Sequence, residues 1–564
     1  MVLQGWLLHG SLPALINKRG LLRTFSLYHS MKHSVIEIDH FEKNKKPKLT
    51  MSSSKISLTT NENNLKNFFL DVVKTYDEHY KPQEKLILRF AGGWVRDKLL
   101  GIPSNDIDVA INSMTGSAFT EQVQNFLKDE TNLKRHRLTP LDVGRCYQTA
   151  ANPEKSKHLE TSTMTILGYD VDFVNLRKET YSSESRNPIM EFGTPEEDAL
   201  RRDCTINALF YNIHTNEIED YTCGLKDLTE KRINTPVEPK VTFMDDPLRT
   251  LRLIRFANRL NFTIDPTCEA YINDQEVMNA FHRKITRERV QVEVYKMLKG
   301  LNPHGALQYF DRLGLYYEIF TDTGAKDMPI PDIKNWRHAY DCLQKLVNDT
   351  SLSQTLIQAH AETAWLLAAY TPWSTVEELP NFCGKARLAW GGEAARLALK
   401  IDNKKINLIS DSLKHFKDVT KLKDSILRGD SWVKLRDTVG NLIRKMDQQG
   451  HWRLQVIFAI LVEAMNDQNS KQKTKANQTG ENLDAWKKVV HHLEEMNLMD
   501  PSSIKNLVDG KILSEVFQKK PGKWVAPVLE FCMNWTLRNP EVNDRNKVIE
   551  EVKKRRHELG IPLP

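Results

Sequence analysis

Asp106 and Asp108, separated by Ile107, are the residues whose type and spacing point most directly to chemistry. On a β-strand, residues two apart share a face. Both carboxylates would then converge, with Ile107 and Val109 on the other side. Two hard oxygen ligands so arranged suit Mg2+, which keeps some of its waters and binds substrate phosphates as well. Just upstream stands Gly92-Gly93-Trp94-Val95-Arg96-Asp97. A glycine pair between a strand and a helix start lets backbone N–H groups meet a phosphate with no Cβ in the way. An Asp-x-Asp alone is usually a solvated turn; joined to the glycine pair it reads as a site for a metal-bound triphosphate.

The elements that must carry these groups follow from periodicity. Residues 86–90 read as a strand broken by Gly92-Gly93, and 94–100 as a short helix stopped by Gly101 and Pro103. Residues 107–110 form a second strand, and 169–174 alternate apolar and acidic residues as a half-buried strand does. Beyond about residue 195 the pattern is mainly helical. Thr194-Pro195-Glu196-Glu197 is a helix start with Thr194 as N-cap and Glu197 closing a capping box. The neighbouring acids 196–198 need no other role. Asp246 and Pro247 open another helix, with Leu248, Leu251 and Ile254 in one stripe and Arg249, Arg252, Arg255 and Arg259 in a second. A charged stripe is ordinarily a solvated face, and Arg252 and Arg259 are left there. Residues 286–299 and much of 335–465 carry helical spacing, while the polar stretch 467–482 reads as a surface loop.

A chain of 564 residues needs three or more packed units. It has no apolar run long enough for a membrane-spanning helix. A net charge of +7 is compatible with a nucleic-acid partner without identifying one. Seven cysteines, none at C-x-x-C spacing, argue against a zinc site or disulfide framework and fit a reducing compartment. The first 35 residues lack acids and carry Lys18, Arg19, Arg23 and Lys32, which resembles a mitochondrial presequence. Met31 and Met51 offer later starts for cytoplasmic and nuclear forms, with a basic cluster at 43–48 between them.

The chain resembles the class II CCA-adding tRNA nucleotidyltransferases of the DNA polymerase beta superfamily, specifically the eukaryotic members. The resemblance runs from about residue 86 to 300 and returns at Val508-Asp509-Gly510-Lys511 and Pro521-Gly522-Lys523-Trp524. It rests on the glycine pair, the paired aspartates, Arg201-Arg202-Asp203-Cys204-Thr205-Ile206-Asn207-Ala208, and Asp245-Asp246-Pro247-Leu248-Arg249. It implies that Asp106 and Asp108 bind two metals, one activating the primer 3′-hydroxyl and one holding the triphosphate. Gly92, Gly93 and Arg96 would serve the nucleotide, and Asp172 reads equally as a third acid of the site or as an exposed strand carboxylate. Residues 176–181 with 185–188 resemble a flexible loop acting in the switch from C to A addition. Arg202 is expected to fork onto phosphate, Asp203 to accept the ribose 2′-hydroxyl, and Asn207 to shape the same contacts. Read without the resemblance, that segment is an ordinary helix ion pair. Asp246 and Arg249 are implied as the amino-acid template that reads the incoming base. Residues 220–227 look like the hinge motif, and 285–290 like a structural one.

The implied fold is α+β, a polymerase-beta-like nucleotidyltransferase head followed by mainly helical neck, body and tail. The expected boundaries are 1–55 for the leader, 56–195 for the head, 196–300 for the neck, 301–430 for the body and 431–564 for the tail. The implied reaction is addition of CCA to the tRNA 3′ end from CTP and ATP with Mg2+, and no membrane partner. No oligomeric state follows from the sequence. Enzymes adding only CC or only A, poly(A) polymerases, and an idle RNA-binding module are the rivals; the intact aspartates argue against the last.

Overall fold

The computed structural model describes residues 55–562 except 140–141, 150–160, 182–186, 323, 325–327, 359, 378–387, 448–449 and 467–474. The leader with its alternative starts lies outside the described residues, as do Cys383 and part of the expected loop at 185–188. The described cysteines are all free thiols. No described helix is long and apolar enough to cross a membrane.

The α+β class is the one observed. The chain opens with α1 (Thr60–Tyr80), started by a capping box between Thr59 and Glu62. There follow β1 (Leu88–Ala91), α2 (Gly93–Leu99), β2 (Asp106–Ile111), α3 (Gly116–Leu127), α4 (Glu130–His136), β3 (Val143–Thr149), β4 (Thr161–Ile166) and β5 (Tyr169–Asn175). Next come β6 (Arg177–Thr180), β7 (Ile189–Phe192), α5 (Pro195–Leu200), β8 (Phe210–Asn212) and β9 (Glu217–Glu219). Seven strands form one sheet in the order β3-β4-β5-β2-β1-β8-β9. Only β2 and β5 within it run parallel. The sheet buries one face under α1 and α3, where Phe69, Phe119 and Phe173 meet ring to ring at 5.3–6.3 Å. Such rings bury much apolar area per residue, so this face supplies the head's core.

Two expectations are corrected. Residues 177–181, expected as part of a mobile loop, begin an antiparallel hairpin in which Arg177 pairs with Phe192 and Thr180 with Ile189. The strand was hidden because its inward residues are charged: Glu179 is buried against two arginines rather than apolar neighbours. The polar stretch 467–482 is not all loop, since a helix covers Lys475–Glu495. Leu483, Trp486, Val490 and Leu493 are buried at helical spacing and draw the preceding polar residues into the same helix.

The chain continues through α6 (Gly224–Glu230), β10 (Arg232–Ile233), α7 (Pro239–Asp245), α8 (Arg249–Leu260), β11 (Thr263–Ile264), α9 (Pro266–Ile272), α10 (Gln275–Lys284), α11 (Arg287–Leu298) and α12 (Pro303–Arg312). The stripe Leu248, Leu251, Ile254 is fully buried, and Val290, Val294 and Met297 of α11 pack likewise. The hinge segment is a turn as expected. Asp220 accepts from the N–H groups of Thr222, Gly224 and Leu225 at 3.1, 2.9 and 2.9 Å. Position 224 must be glycine, because a Cβ there would lie 2.4 Å from the Thr205 carbonyl oxygen. Beyond α12 the described structure is helical. Trp452–Asn466 is apolar almost all round and sits at the centre of this part. Near the C-terminus Asp509 caps Gly510–Phe517, and Val508, Leu513, Val528, Cys532 and Val548 share a separate core.

Candidate active site

Strand β2 places both aspartates as the sequence predicts. Asp106 and Asp108 are exposed on one face while Ile107 and Val109 are buried on the other. Ala91 of β1 pairs with Asp108, so the turn that follows, Gly92-Gly93, lies beside that carboxylate. A Cβ on Gly92 would stand 3.6 Å from Asp108 Oδ2 and only 2.7 Å from Arg202 Nη1. With φ of +64°, position 92 is a glycine on both counts. The close approach it permits is first of all to Arg202.

Asp108 reaches solvent, yet the surrounding protein crowds it. Its pKa is raised, chiefly by desolvation, with Asp172, Asp106 and Asp198 adding to the rise and Arg202 opposing it. A divalent cation between these carboxylates would favour their charged forms and so oppose that rise. Asp172 lies opposite Asp108 in the β2–β5 register. Its Oδ1 accepts the Thr163 hydroxyl at 2.5 Å. Among the described residues no three His, Cys, Asp or Glu side chains group as a metal cage. Two carboxylates on one face of β2 fit an ion that takes the rest of its ligands from water and phosphate, as Mg2+ does.

Behind the aspartates stands a closed polar network. Arg202 places Nε and Nη2 on Asp198 Oδ2 at 3.1 and 2.9 Å, and Nη1 on the Asn207 carbonyl at 2.9 Å. The fork expected to meet phosphate is thus spent on a carboxylate. Asp198, which the sequence reading left among the capping acids, is buried. It also accepts from Arg201 Nε at 2.9 Å and the Arg177 N–H at 3.2 Å. Thr194 and Glu197 do the capping. Burial alone would raise the Asp198 pKa, but Arg202 and Arg201 outweigh it and hold the carboxyl below its ordinary range.

Arg96, Asp203 and Asn207 do meet, but they are buried and face one another. Arg96 donates from Nη1 to Asn207 Oδ1 and from Nε to Asp97 Oδ1 at 2.8 Å. Asp203 Oδ1 accepts from Asn207 Nδ2 at 3.0 Å and the Cys204 N–H at 2.9 Å. Its Oδ2 takes Arg252 Nε at 2.7 Å and Nη2 at 2.6 Å. A carboxylate offers about four acceptor sites, and all are filled. Accepting a ribose hydroxyl would require an exchange. Burial raises and Arg252 with Asn207 lowers the Asp203 pKa; the lowering wins by a wide margin. Arg252 and Arg259 are accordingly not free surface charges. Arg252 binds Asp203 and approaches Glu293 at 3.7 Å, and Arg259 reaches Asp97 at 3.2 Å. Glu293 of α11 also takes Arg255 Nε at 2.6 Å. Its signal was present in the sequence, as an acid within the apolar stripe of α11.

Asp246 and Arg249 sit where two helices meet. Asp246 closes α7, and its Oδ1 accepts the Leu248 N–H at 3.2 Å. The helix it was expected to cap begins two residues later, because 246–248 form a turn of their own. Its Oδ2 lies 3.6 Å from Arg289 Nη2. Arg249 is buried, donating from Nη2 to the Arg201 carbonyl at 2.6 Å and the Tyr181 hydroxyl at 3.3 Å, and from Nη1 to the Thr242 carbonyl at 3.3 Å. Tyr181 in turn donates to Glu179 Oε2 at 2.6 Å. Tyr181, Glu179, Asp198, Arg252 and Glu293 are the partners that sequence reasoning missed.

Residues 88–234 match the Poly A polymerase head domain family. The chain is 43% identical over 556 residues to the nucleotidyltransferase lcsQ of Purpureocillium lilacinum, covering 90% of this chain and 93% of that protein. It is 35% identical over 536 residues to the mitochondrial CCA tRNA nucleotidyltransferase of Saccharomyces cerevisiae, covering 88% and 94%. The Thermotoga maritima CCA-adding enzyme, solved in complex with tRNA, shares the fold with a TM-score of 0.54 at 18% identity over 86% of this chain and 94% of that one. Full-length similarity at these levels, on top of the aspartate pair, the glycine turn and the Arg-Arg-Asp segment, shows that the chain belongs to the eukaryotic class II CCA-adding tRNA nucleotidyltransferase family.

Proposed function

We propose that this protein adds C, C and A to the 3′ end of tRNA, taking CTP and ATP in turn without a nucleic-acid template. The observation that carries the reading is the aspartate pair on one face of β2 beside the Gly92-Gly93 turn, with Asp172 opposite Asp108 on the neighbouring strand. Asp106 and Asp108 would hold Mg2+, which supplies Lewis-acid activation of the hydroxyl and neutralisation of the triphosphate. In the reaction the tRNA 3′-hydroxyl gives its proton to water, its oxygen bonds to the α-phosphorus, the α-phosphorus bond to the bridging β-phosphate oxygen breaks, and pyrophosphate leaves with that electron pair. Gly92 keeps the turn low enough for Arg202 to pass, and Arg202 fixes Asp198 and the Asn207 backbone behind the pair.

Base choice is assigned to Asp246 and Arg249. Cytosine presents an N4 amino group beside the N3 acceptor, and adenine an N6 amino group beside N1. A carboxylate that accepts and a guanidinium that donates serve both bases. Guanine and uracil present the reverse pattern and would leave buried polar groups unpaired, a mismatch worth on the order of 10⁴-fold. In the free protein Arg249 is already hydrogen-bonded, so reading a base exchanges one partner. The Tyr181 hydroxyl is a side-chain partner and can leave without disturbing the backbone.

Mg2+ as the ion, tRNA as the acceptor, and mitochondrial targeting from Met1 with cytoplasmic and nuclear forms from Met31 or Met51 belong to the same proposal. The relative from Saccharomyces cerevisiae is named as mitochondrial. The test is incubation with tRNA ending in the discriminator base, with tRNA-CC, and with each NTP separately. Two C additions to the first and one A addition to the second are expected. A-tails of indefinite length would make it a poly(A) polymerase; C alone or A alone, a partial enzyme; and no growth, an RNA-binding module.

A further inference from the structure

Two cavities flank the far end of α8 and share one wall. One, of about 440 Å³, lies among Arg255, Arg259, Lys296, Gly300 and Leu301. The other, of about 610 Å³, reaches Gln308, Arg312 and Arg337. Asn258 lines both. Three features here go unused by the chemistry above. The cations point outward: Lys296, Arg259, Arg312 and Arg337 side chains are 55, 45, 53 and 68% exposed. Their partners Glu293, Asp97, Glu269 and Asp341 are only 4, 8, 28 and 34% exposed. Solvent therefore meets the positive ends of these pairs first. Asn258 is 7% exposed, and its Oδ1 has no hydrogen-bond partner while its Nδ2 is committed to the Asn302 carbonyl at 2.8 Å. That oxygen is closed off from solvent against Gly305 and forms part of the wall between the cavities. Leu301, in the turn after α11, is 96% exposed.

We propose that this trough takes the RNA strand leading to the 3′ end being extended, an inference that rests on tRNA being the substrate. Lys296 and Arg259 meet its phosphates, and Leu301 offers an apolar face to a base. The trough starts on the same helix as Arg249, about 15 Å further along it, a span that an RNA strand of a few nucleotides covers. Because the contacts are to backbone and a base face, they hold the strand whatever its sequence, as a substrate common to many tRNAs requires.

The experiment uses the full chain with Lys296→Glu, Lys296→Gln and Leu301→Asp, and Lys299→Glu as the charge-matched control. Lys299 is exposed one turn away and lines neither cavity. Binding of tRNA is followed by fluorescence anisotropy over a salt series, beside KM for tRNA and for ATP. Lys296→Glu should weaken tRNA binding about tenfold or more and reduce the slope of log K against log salt by about one, as loss of a phosphate contact does. Lys296→Gln should do so more mildly. KM for ATP should stay within about twofold of wild type. Leu301→Asp should weaken binding with the salt slope kept, since no cation is lost. Equal binding and equal slopes for Lys296→Glu and Lys299→Glu would overturn the proposal. So would a parallel rise in KM for ATP, which would mark Lys296 as a prop for α11. Failure of the wild type to extend any tRNA would remove the functional reading, while the binding arm would still decide this one. If Lys296→Glu does not fold, Lys296→Gln carries the test.

Discussion

The head cleft and the network behind it are built on opposite electrostatic principles. At Asp108 the fold crowds a carboxylate against the protein and beside other acids, and its pKa rises, chiefly through desolvation, with Arg202 opposing the rise. At Asp198 and Asp203 the fold gathers as much charge and saturates it with Arg201, Arg202 and Arg252, so that both pKa values fall. A carboxylate that must bind an external cation has to keep its oxygens free of internal hydrogen bonds. A carboxylate that must hold a scaffold has to be fully paired, because a buried unpaired charge is expensive. The pKa of Asp108 rises while those of Asp198 and Asp203 fall, although all three lie within or next to recognisable motifs.

Breaking the two regions should have opposite signatures. The largest effect is expected at Asp106→Ala and Asp108→Ala: nucleotide addition falls on the order of 10³-fold or more, with melting temperature and tRNA binding unchanged. More than a few per cent of wild-type turnover at saturating Mg2+ would remove the metal assignment. Next is Asp198→Ala, which strands two arginines and should cost about 3–5 kcal/mol in chemical denaturation. The folded pKa of Asp198 is depressed, so its stabilisation is present above the unfolded value of about 4 and is lost as pH falls through the folded one. The deficit of Asp198→Asn relative to wild type should therefore shrink in acid; a deficit independent of pH down to the acid transition would contradict the pairing. Asp203→Asn sharpens the contrast. With every acceptor site taken, it should lose stability while NTP over dNTP selectivity changes little. Relaxed selectivity at unchanged stability would instead put Asp203 directly on the ribose. Tyr181→Phe should be mildest, leaving stability within about 1 kcal/mol and shifting KM for CTP and ATP a few-fold. No shift at all would mean that the hydroxyl is not the partner exchanged for a base.

What the sequence disclosed tracks how local each signal is. The strand carrying Asp106 and Asp108, the Gly92-Gly93 turn and the Thr194 cap depend on neighbours within a few residues, and all lie where periodicity placed them. Hairpin β6–β7 was missed because its buried face holds Glu179, whose partner Arg201 is remote in sequence. Arg252 was taken for a solvated residue for the same reason: its spacing along α8 is that of a surface stripe, and only the approach of Asp203 and Glu293 makes it internal. The sequence named Arg202, Asp203 and Asn207 as members of the site but could not tell whether they face the ligand or each other. That depends on tertiary pairing, which leaves no periodic trace.

The division of labour is tested most directly at Arg249, proposed to read the base from inside the saturated region. Wild type and Arg249→Lys would be compared in a four-NTP competition on tRNA lacking CCA and on tRNA-CC, with the added nucleotides sequenced. Lysine keeps the charge but lacks the planar fork. The expected result is C, C, A from wild type, and a variant that uses CTP and ATP poorly while admitting UTP or GTP. A variant that loses rate uniformly yet keeps the wild-type base preference would contradict it, leaving Arg249 as a buried tie between α8 and the Arg201 carbonyl.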